Sequence, residues 1–450
     1  MLSKGGRAKQ ISTRPGNADT AAHSRIPKQD DTGRIEVIAE GTGTGDGAVP
    51  APAIRLLKHL DFILFIACRA GNVFGVQMLT IAVGWHVYRM TGNVLDLGLV
   101  GLFQFLPVLL LFLAGGMAAD RFDRRLIIAS CNGLQALAAS LICAYMLSGP
   151  ANVWPVFGLL AIHGTARAFL HPATQSILPN IVPREIFSNA IAMTSSVNKF
   201  GQLAGPAIGG VLIALIGEWT YLVVAILFCL AATAAIMIRI RLTVRGREPF
   251  GLKTVLGGFD YIWRKKIILG AVSIDLAAVL FGGILGMLPV YAIDILKVGP
   301  EALGAMRAAP ALGALAVALV LTQLRATRGM GVAFFVSLAV FGSAILVFSL
   351  STLFWLTLVA LVLYGAADMV SVYIRQTLVQ IETPDELRGR VSAVNSVSIN
   401  ASNELGDFRA GLMAAAIGTV PAVFIGGMVT LGVAALWWKL FPDLRKVDRI

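Results

Sequence analysis

Charge is scarce in this chain: Asp, Glu, Lys and Arg make up only 14% of its 450 residues, against about a quarter in an ordinary soluble domain. Cysteine is scarcer still. Cys68, Cys131, Cys143 and Cys229 all lie in apolar runs at unrelated spacings, which argues against a disulfide framework and leaves no metal-ligand pattern. They read as packing residues. The five histidines form no rich cluster, and neither a phosphate-binding glycine loop nor a group of catalytic carboxylates outside the apolar runs is present. No metal or cofactor is expected, and a polytopic membrane enzyme is the weaker of the readings considered. The first 50 residues also lack the apolar core of a cleavable signal peptide.

Apolar sequence is what the chain has in abundance, with 57% hydrophobic residues and a mean hydropathy of +0.78. It comes in runs of roughly 18 to 25 residues, long enough as helices to cross about 30 Å of hydrocarbon. Twelve such runs can be counted, centred near Gly71, Leu109, Leu137, Gly164, Leu203 and Leu230, then near Leu280, Leu312, Ala339, Leu361, Asn400 and Thr430. The fold class expected is therefore an all-α polytopic membrane protein in the lipid bilayer.

Basic residues orient it. Arg121, Arg124 and Arg125, then Arg184, Arg325 and Arg328, and Arg388 and Arg390 all fall in even-numbered connections, and the central connector is rich in Arg and Lys. By the positive-inside rule these connections and both termini are cytoplasmic, as for a multi-pass protein of a bacterial-type inner membrane. This asymmetry accounts for most of the net charge of +12, so the pI near 9.8 requires no nucleic-acid partner. The domains expected are a disordered cytoplasmic tail (1–53), a six-helix half (54–241), a connector with an amphipathic surface helix (242–266), a second six-helix half (267–441) and a short cytoplasmic tail (442–450).

The two halves repeat. "GTARAFLHPATQSILPNIVPREIFSNAIAMTSS" from Gly164 aligns without gaps with "GAADMVSVYIRQTLVQIETPDELRGRVSAVNS" from Gly365. At a constant offset of 201, Gly164 meets Gly365, Gln175 meets Gln376, Pro183 meets Pro384 and Glu185 meets Glu386. Six spans return a chain to its starting side, so the duplicated unit is parallel. Two parallel halves can rock about a site near the bilayer midplane.

Two motifs and a set of buried charges add chemistry. "GMAADRFDRR" places Gly116, Asp120, Arg121, Arg124 and Arg125 in the connection after the second span. The glycine allows close helix approach, and Asp120 can meet a helix N-terminus or a neighbouring Arg. "GQLAGPAIGG" puts Gly201, Gly205 and Gly209 at four-residue spacing with Pro206 and Gly210 in the fifth span. That stripe without side chains invites a partner helix, expected to be the eighth, and Pro206 bends the helix. Charges inside spans are costly and mark function. His163, Arg167 and His171 share one face of the fourth span, and Tyr364, Asp368, Ser371 and Arg375 one face of the tenth; the repeat maps Arg167 onto Asp368. Such a pair could open and close with the halves, or remain a static ion pair. Glu404 and Asp407 share a face of the eleventh span. A carboxylate inside a span can take up and release protons near neutral pH, though these two could instead neutralise Lys199 or Arg409. Arg69, Asn72, Gln77 and Asp275 are further cavity candidates, and His86 reads as a membrane-interface residue.

"GWHVYRMTGNVLDLGLVGLFQFLP", "ADRFDRR", "GPAIGG" and "ASNELGDFRAGL" resemble the enterobactin-exporter-like branch of the major facilitator superfamily. The "GPAIGG" stretch is similar to that superfamily's fifth-helix antiporter motif, and "GMAADRFDRR" to its loop motif, where the family usually has glycine at the place of Asp123. The resemblance covers about Leu60 to Leu440. It implies twelve helices in two pseudo-repeats and export of a small organic molecule, siderophore or drug-like, driven by proton entry. A monomer is expected. An uptake permease or lipid flippase on the same fold is the alternative.

Overall fold

Hydrocarbon offers no water to an unpaired N–H or C=O, so a chain can span it only as helix or closed barrel, and long unbroken apolar runs suit the helix. The computed structural model describes residues 59–239, 259–323 and 329–447, and those in regular structure are helical. The expected tail over 1–53 and residues 242–258 of the connector lie outside the described residues. The first half comprises α1 (Leu60–Thr91), α2 (Val94–Arg121), α3 (Arg124–Leu147), α4 (Trp154–Ile181), α5 (Phe187–Ile216) and α6 (Thr220–Met237). The second comprises α7 (Lys266–Gly282), α8 (Pro300–Gln323), α9 (Met330–Leu350), α10 (Phe354–Glu382), α11 (Asp385–Ile417), α12 (Thr419–Leu440) and the short α13 (Pro442–Arg445). An irregular segment, Leu285–Ile295, follows α7 and ends in a turn of π-helix.

Among the described residues nine helical stretches are long and apolar enough to cross a membrane, one of them, Phe187–Met237, joining α5 and α6. The difference from the twelve expected spans has a chemical cause. α4 and α11 fall short of that apolarity because they carry His163, Arg167 and His171, and Glu404, Asp407 and Arg409.

Local chemistry sets the helix ends. Gly92, at φ 60°, closes α1 in the left-handed conformation that an L side chain resists, and its N–H donates to the Tyr88 carbonyl. Asn93 then caps α2 by accepting from Leu95 N. Residues 259–264 of the connector form a helical turn whose Ile262 is buried and whose Tyr261 hydroxyl donates to the Glu382 carbonyl, so this piece rests on the end of α10.

The repeat is visible in the packing. A Cβ on Gly164 would lie 2.3 Å from the Gln104 carbonyl oxygen of α2, and one on Gly365, its counterpart, 2.0 Å from the Pro310 carbonyl oxygen of α8. Each half thus uses the same glycine to bring its fourth helix onto its second. Near the end of α2, which extends through Arg121, the close approach belongs to Gly115, one residue before Gly116, with a Cβ there only 2.2 Å from the Ala168 carbonyl oxygen. Arg124 donates to the carbonyls of Ala119 and Ser176, and Arg125 to that of Ile238, which fastens the α2–α3 connection to the ends of α4 and α6. Asp120 is half-buried and forms no ion pair among the described residues.

The fifth-helix stripe does not face the eighth helix. Cβ atoms on Gly201, Gly205 and Gly209 would lie 2.5, 2.7 and 2.8 Å from Val73, Gln77 and Ile81 of α1, inside the first half. One residue is 100° of helix rotation, and Gly210 therefore points elsewhere. A Cβ on it would lie 2.4 Å from the Pro300 carbonyl oxygen and 2.8 Å from Gly304 Cα of α8, while one on Gly304 would lie 2.7 Å from the Pro206 carbonyl oxygen. The symmetry-related contact joins α2 to α11, where a Cβ on Gly411 would lie 2.9 Å from Gly98 Cα. Gly84 of α1 meets Pro289, and the Tyr88 hydroxyl donates to Asp294. These contacts lie towards the α1–α2 turn and close the halves on each other at that end.

Two outcomes follow from this geometry. Asp123 caps α3 by accepting from Arg125 N and pairs with the Arg125 guanidinium at 2.7 Å, and those hydrogen bonds hold its carboxyl below the usual carboxylate range. Asp123→Ala should cost about 0.5–2 kcal/mol, read as a lower thermal unfolding midpoint in detergent. Because the folded-state pKa is the lower one, the contribution is present above pH ~4 and fades as pH falls through the depressed value, so the gap between wild type and variant should narrow in acid. Gly210→Leu should part the halves, lengthening the distance between spin labels placed by Asn93→Cys and Ile417→Cys. Gly205→Leu, which meets only α1, should leave that distance unchanged.

Candidate functional site

Between the halves lies a cavity of about 610 Å³, within the range of small-molecule sites. Its closed end, beneath the seal, is lined by Gly84, Leu97, Val100, Leu288, Pro289 and Leu303, and the remainder mixes polar groups with apolar ones such as Val73, Val76 and Leu170. The first half contributes Arg69, Asn72, Gln77, Thr80, Gln104, Arg167, His171 and Gln202, and the second Arg307, Tyr364, Asp368, Asn403, Glu404 and Asp407.

Arg167 and Asp368, matched by the repeat, both line this space, but they are not each other's partner. The carboxylate nearest Arg167 is Glu404, at 3.9 Å. A contact that long joins two groups that both keep surface open to the cavity. Asp407 accepts from Gly286 N at 3.1 Å, where α7 has just broken at Gly283 and the backbone N–H is free. Arg69 donates through Nε to Asn198 of α5 at 2.9 Å. Asn72 spends its amide N–H groups on Asn132 and Gln135 of α3, so it supports the wall more than it reaches into the space.

Three expected cavity residues lie elsewhere. His163 is fully buried in the first half, its ring 5.8 Å from that of Phe228, with both ring nitrogens unpartnered. Asp275 and Arg375 are buried in the second half, paired at 3.2 Å. Arg375 also donates to Asn395 of α11 at 2.9 Å, and Ser371 lies 3.4 Å from Asp275, so the cluster ties α7, α10 and α11 together. The charged face of α10 is therefore divided by depth: Tyr364 and Asp368 meet the cavity, and Ser371 and Arg375 meet α7 and α11. Asp368 borders both environments, because a narrow cleft lined by Asp275, Ser371 and Asp368 runs behind it. Arg409 turns away from the cavity towards α7, where it donates to the Phe281 carbonyl and lies over the Phe281 ring. His86 is buried, hydrogen-bonded to the Ala82 carbonyl and the Tyr221 hydroxyl, rather than lying at an interface.

Arg307 is the charged cavity residue the sequence reading passed over, along with the neutral Thr80, Gln104, Gln202 and Asn403. It stands in "GAMRAAPALG", and the rule that singled out Arg167 and Asp368, a charge inside an apolar span, would have found it. Asp294 was missed for a different reason. It lies near a span end, where a carboxylate is ordinary, and only the fold brings Tyr88 to it.

A two-half helical membrane protein with a polar cavity between its halves, closed at one end by inter-half glycine contacts, is a membrane transporter of the major facilitator kind. Residues 55–449 match the family described as transmembrane secretion effector, and the chain belongs to that family within the major facilitator superfamily. It is 24% identical over 396 residues to the enterobactin exporter EntS of Citrobacter koseri, covering 87% of this chain and 95% of that protein. It is 28% identical over 410 residues to the multidrug efflux pump Tap of Mycolicibacterium fortuitum, covering 86% and 97%. Among solved structures, a bacterial homolog of the human lysosomal transporter Spinster, inward-facing and unoccupied, superposes with a TM-score of 0.67 at 15% identity, covering 90% of this chain and 99% of that one. The nucleoside transporter NupG superposes at 0.65 and 12% identity, covering 86% and 99%. These structures share the fold.

The buried pair makes a stability prediction. Asp275→Ala leaves the Arg375 guanidinium buried and uncompensated, at a cost of about 3–5 kcal/mol. Yield and thermal midpoint should both fall sharply, and Asp275→Asn with Arg375→Gln should recover much of the loss.

Proposed function

We propose that this chain exports a small organic molecule across a bacterial-type inner membrane by alternating access, in exchange for protons. The observation that carries the reading is the cavity between the halves, where the carboxylates of Asp368, Glu404 and Asp407 face the arginines of the first half. A proton and a basic or donor-rich substrate competing for one carboxylate is the simplest physical route to antiport, because occupancy by one lowers affinity for the other. The efflux functions of the enterobactin exporter and of Tap support the direction. The positive-inside distribution of Arg and Lys supports cytoplasmic termini and twelve crossings, grouped as the halves 54–241 and 267–441. With that orientation the glycine seal lies on the outer side and the cavity belongs to an inward-open state. The outward-open state then requires Gly98–Gly411 and Gly210–Gly304 to separate while the opposite ends of the halves approach. Arg69, Arg167 and His171 would contact substrate from one wall, and Arg307, Asp368, Glu404 and Asp407 from the other, with the chain acting as a monomer.

Everted membrane vesicles test this. Energised vesicles should accumulate a siderophore or a drug-like amine, and a protonophore should abolish the accumulation. Glu404→Gln, Asp407→Asn and Asp368→Asn each keep side-chain shape but cannot titrate. The variant that removes the proton carrier should bind substrate with the weaker affinity of the protonated wild type, lose at least tenfold in uphill export, and lose the pH dependence of affinity. Normal pumping by all three, or accumulation by whole cells rather than everted vesicles, would overturn the proposal.

A further inference from the structure

The cavity charges are segregated by wall, and this bears on what the cavity holds. Arg69 and Arg167 stand on the first half's wall, and Asp368, Glu404 and Asp407 on the second half's. Arg307 is the exception, lining the acidic wall beside Glu404 and Asp407. It leaves that wall with an excess of negative charge. Across the whole cavity three arginines meet three carboxylates, so the space is electrically balanced yet strongly polarised.

These charges are not spent on one another. Among the described residues the only ion pair inside the cavity is Arg167 with Glu404, at 3.9 Å. Asp368 and Asp407 form none, although Asp407 accepts from the Gly286 N–H, and Arg69 gives its Nε to a neutral amide. The well-buried counterexample lies a short distance away, where Asp275 and Arg375 close at 3.2 Å with further hydrogen bonds. Unpaired opposite charges on facing low-dielectric walls produce a field across the space, and a guest is ranked by its fit to that field. A monocation gains at the acidic wall but is repelled from the basic one, and a monoanion suffers the reverse. A lipophilic cation would also want aromatic faces. Tyr364 is the one Phe, Tyr or Trp ring among the described residues lining the cavity, and it is stacked on Phe341 at 4.4 Å.

We infer that the substrate is amphoteric, an organic molecule with an anionic group held by Arg69 and Arg167 and a cationic group held by Asp368 and Asp407. The inference rests on the reading of this cavity as the substrate site and narrows the substrate to a charge class. It also supplies the competition that antiport needs, since protonating a carboxylate of the acidic wall releases the cationic end.

The test uses one scaffold in three charge forms: ciprofloxacin, which carries a carboxylate and a piperazinium; its methyl ester, a cation; and its N-acetyl derivative, an anion. Binding to the full-length protein in detergent, followed by fluorescence polarisation, needs no pumping. The zwitterion should bind at least tenfold more tightly than either relative. Arg69→Gln combined with Arg167→Gln should erase its advantage over the ester while the ester still binds. Asp368→Asn combined with Asp407→Asn should erase its advantage over the N-acetyl form while that anion still binds, which shows that each variant is folded. Equal or tighter binding of the ester or the N-acetyl form, or no binding of the zwitterion, would overturn the inference. Selective binding of the zwitterion without accumulation in everted vesicles would sustain it and defeat the export reading instead.

Discussion

The contact on which the molecule turns is backbone against backbone. Gly98 meets Gly411 and Gly210 meets Gly304, at spacings that leave no room for a Cβ. In lipid there is little hydrophobic drive to hold one helix on another, so close packing and short-range dispersion do the holding. Contacts of that kind are strong in register and vanish within a small displacement. Around these glycines an apolar cluster shared by the two halves, with Leu97 and Val100 on one side and Leu288 and Leu303 on the other, completes the seal. Its side-chain hydrogen bond, Tyr88 to Asp294, lies at the rim.

Inside each half the logic is different. The first half is tied by a buried amide group, Asn72 with Asn132 and Gln135, and the second by a buried ion pair, Asp275 with Arg375 and its neighbours Asn395 and Ser371. Breaking either would strand polar atoms in a low-dielectric interior. Each half is therefore expected to move as a body, with adjustment concentrated where α7 is already broken. Gly283, the π turn at Tyr291–Ile295 and the left-handed Lys297 (φ 54°) mark that region. Helices that depart from regular hydrogen bonding beside a cavity are a common place for such adjustment. The backbone N–H freed at Gly286 is the one that Asp407 accepts from, so the break also positions a carboxylate.

Charge placement links these features. Of the charges that face the cavity, Arg69 and Asp368 stand on opposite walls without an ion-pair partner among the described residues, and Arg167 reaches Glu404 only at 3.9 Å. Those that face helices of their own half are paired and covered. A span can carry a charge only where water, a partner or a ligand satisfies it. Arg375 and Asp275 take the second option, and Arg69, Arg167, Asp368 and Asp407 border the space that offers the others.

Much of this could be read from the sequence, because it depends on composition and period. Apolar runs fix helices where backbone groups cannot reach water. The 201-residue offset gives the duplicated halves, and Gly164 and Gly365 pack alike as the repeat requires. Charges inside spans pointed to Arg167, Asp368, Glu404 and Asp407, which all line the cavity. Partnership was not legible. Helical spacing gives the face on which a residue stands but not which helix lies opposite, nor how deep the cavity reaches along that face. So Arg167 faces Glu404 rather than Asp368, the Gly201–Gly205–Gly209 stripe meets α1 rather than α8, and His163 and Arg375 lie inside their own halves. The sequence by itself determined helices, repeat and the set of buried charges. The tertiary structure alone decided which of those charges meet, because that depends on distances between helices that are remote in the chain.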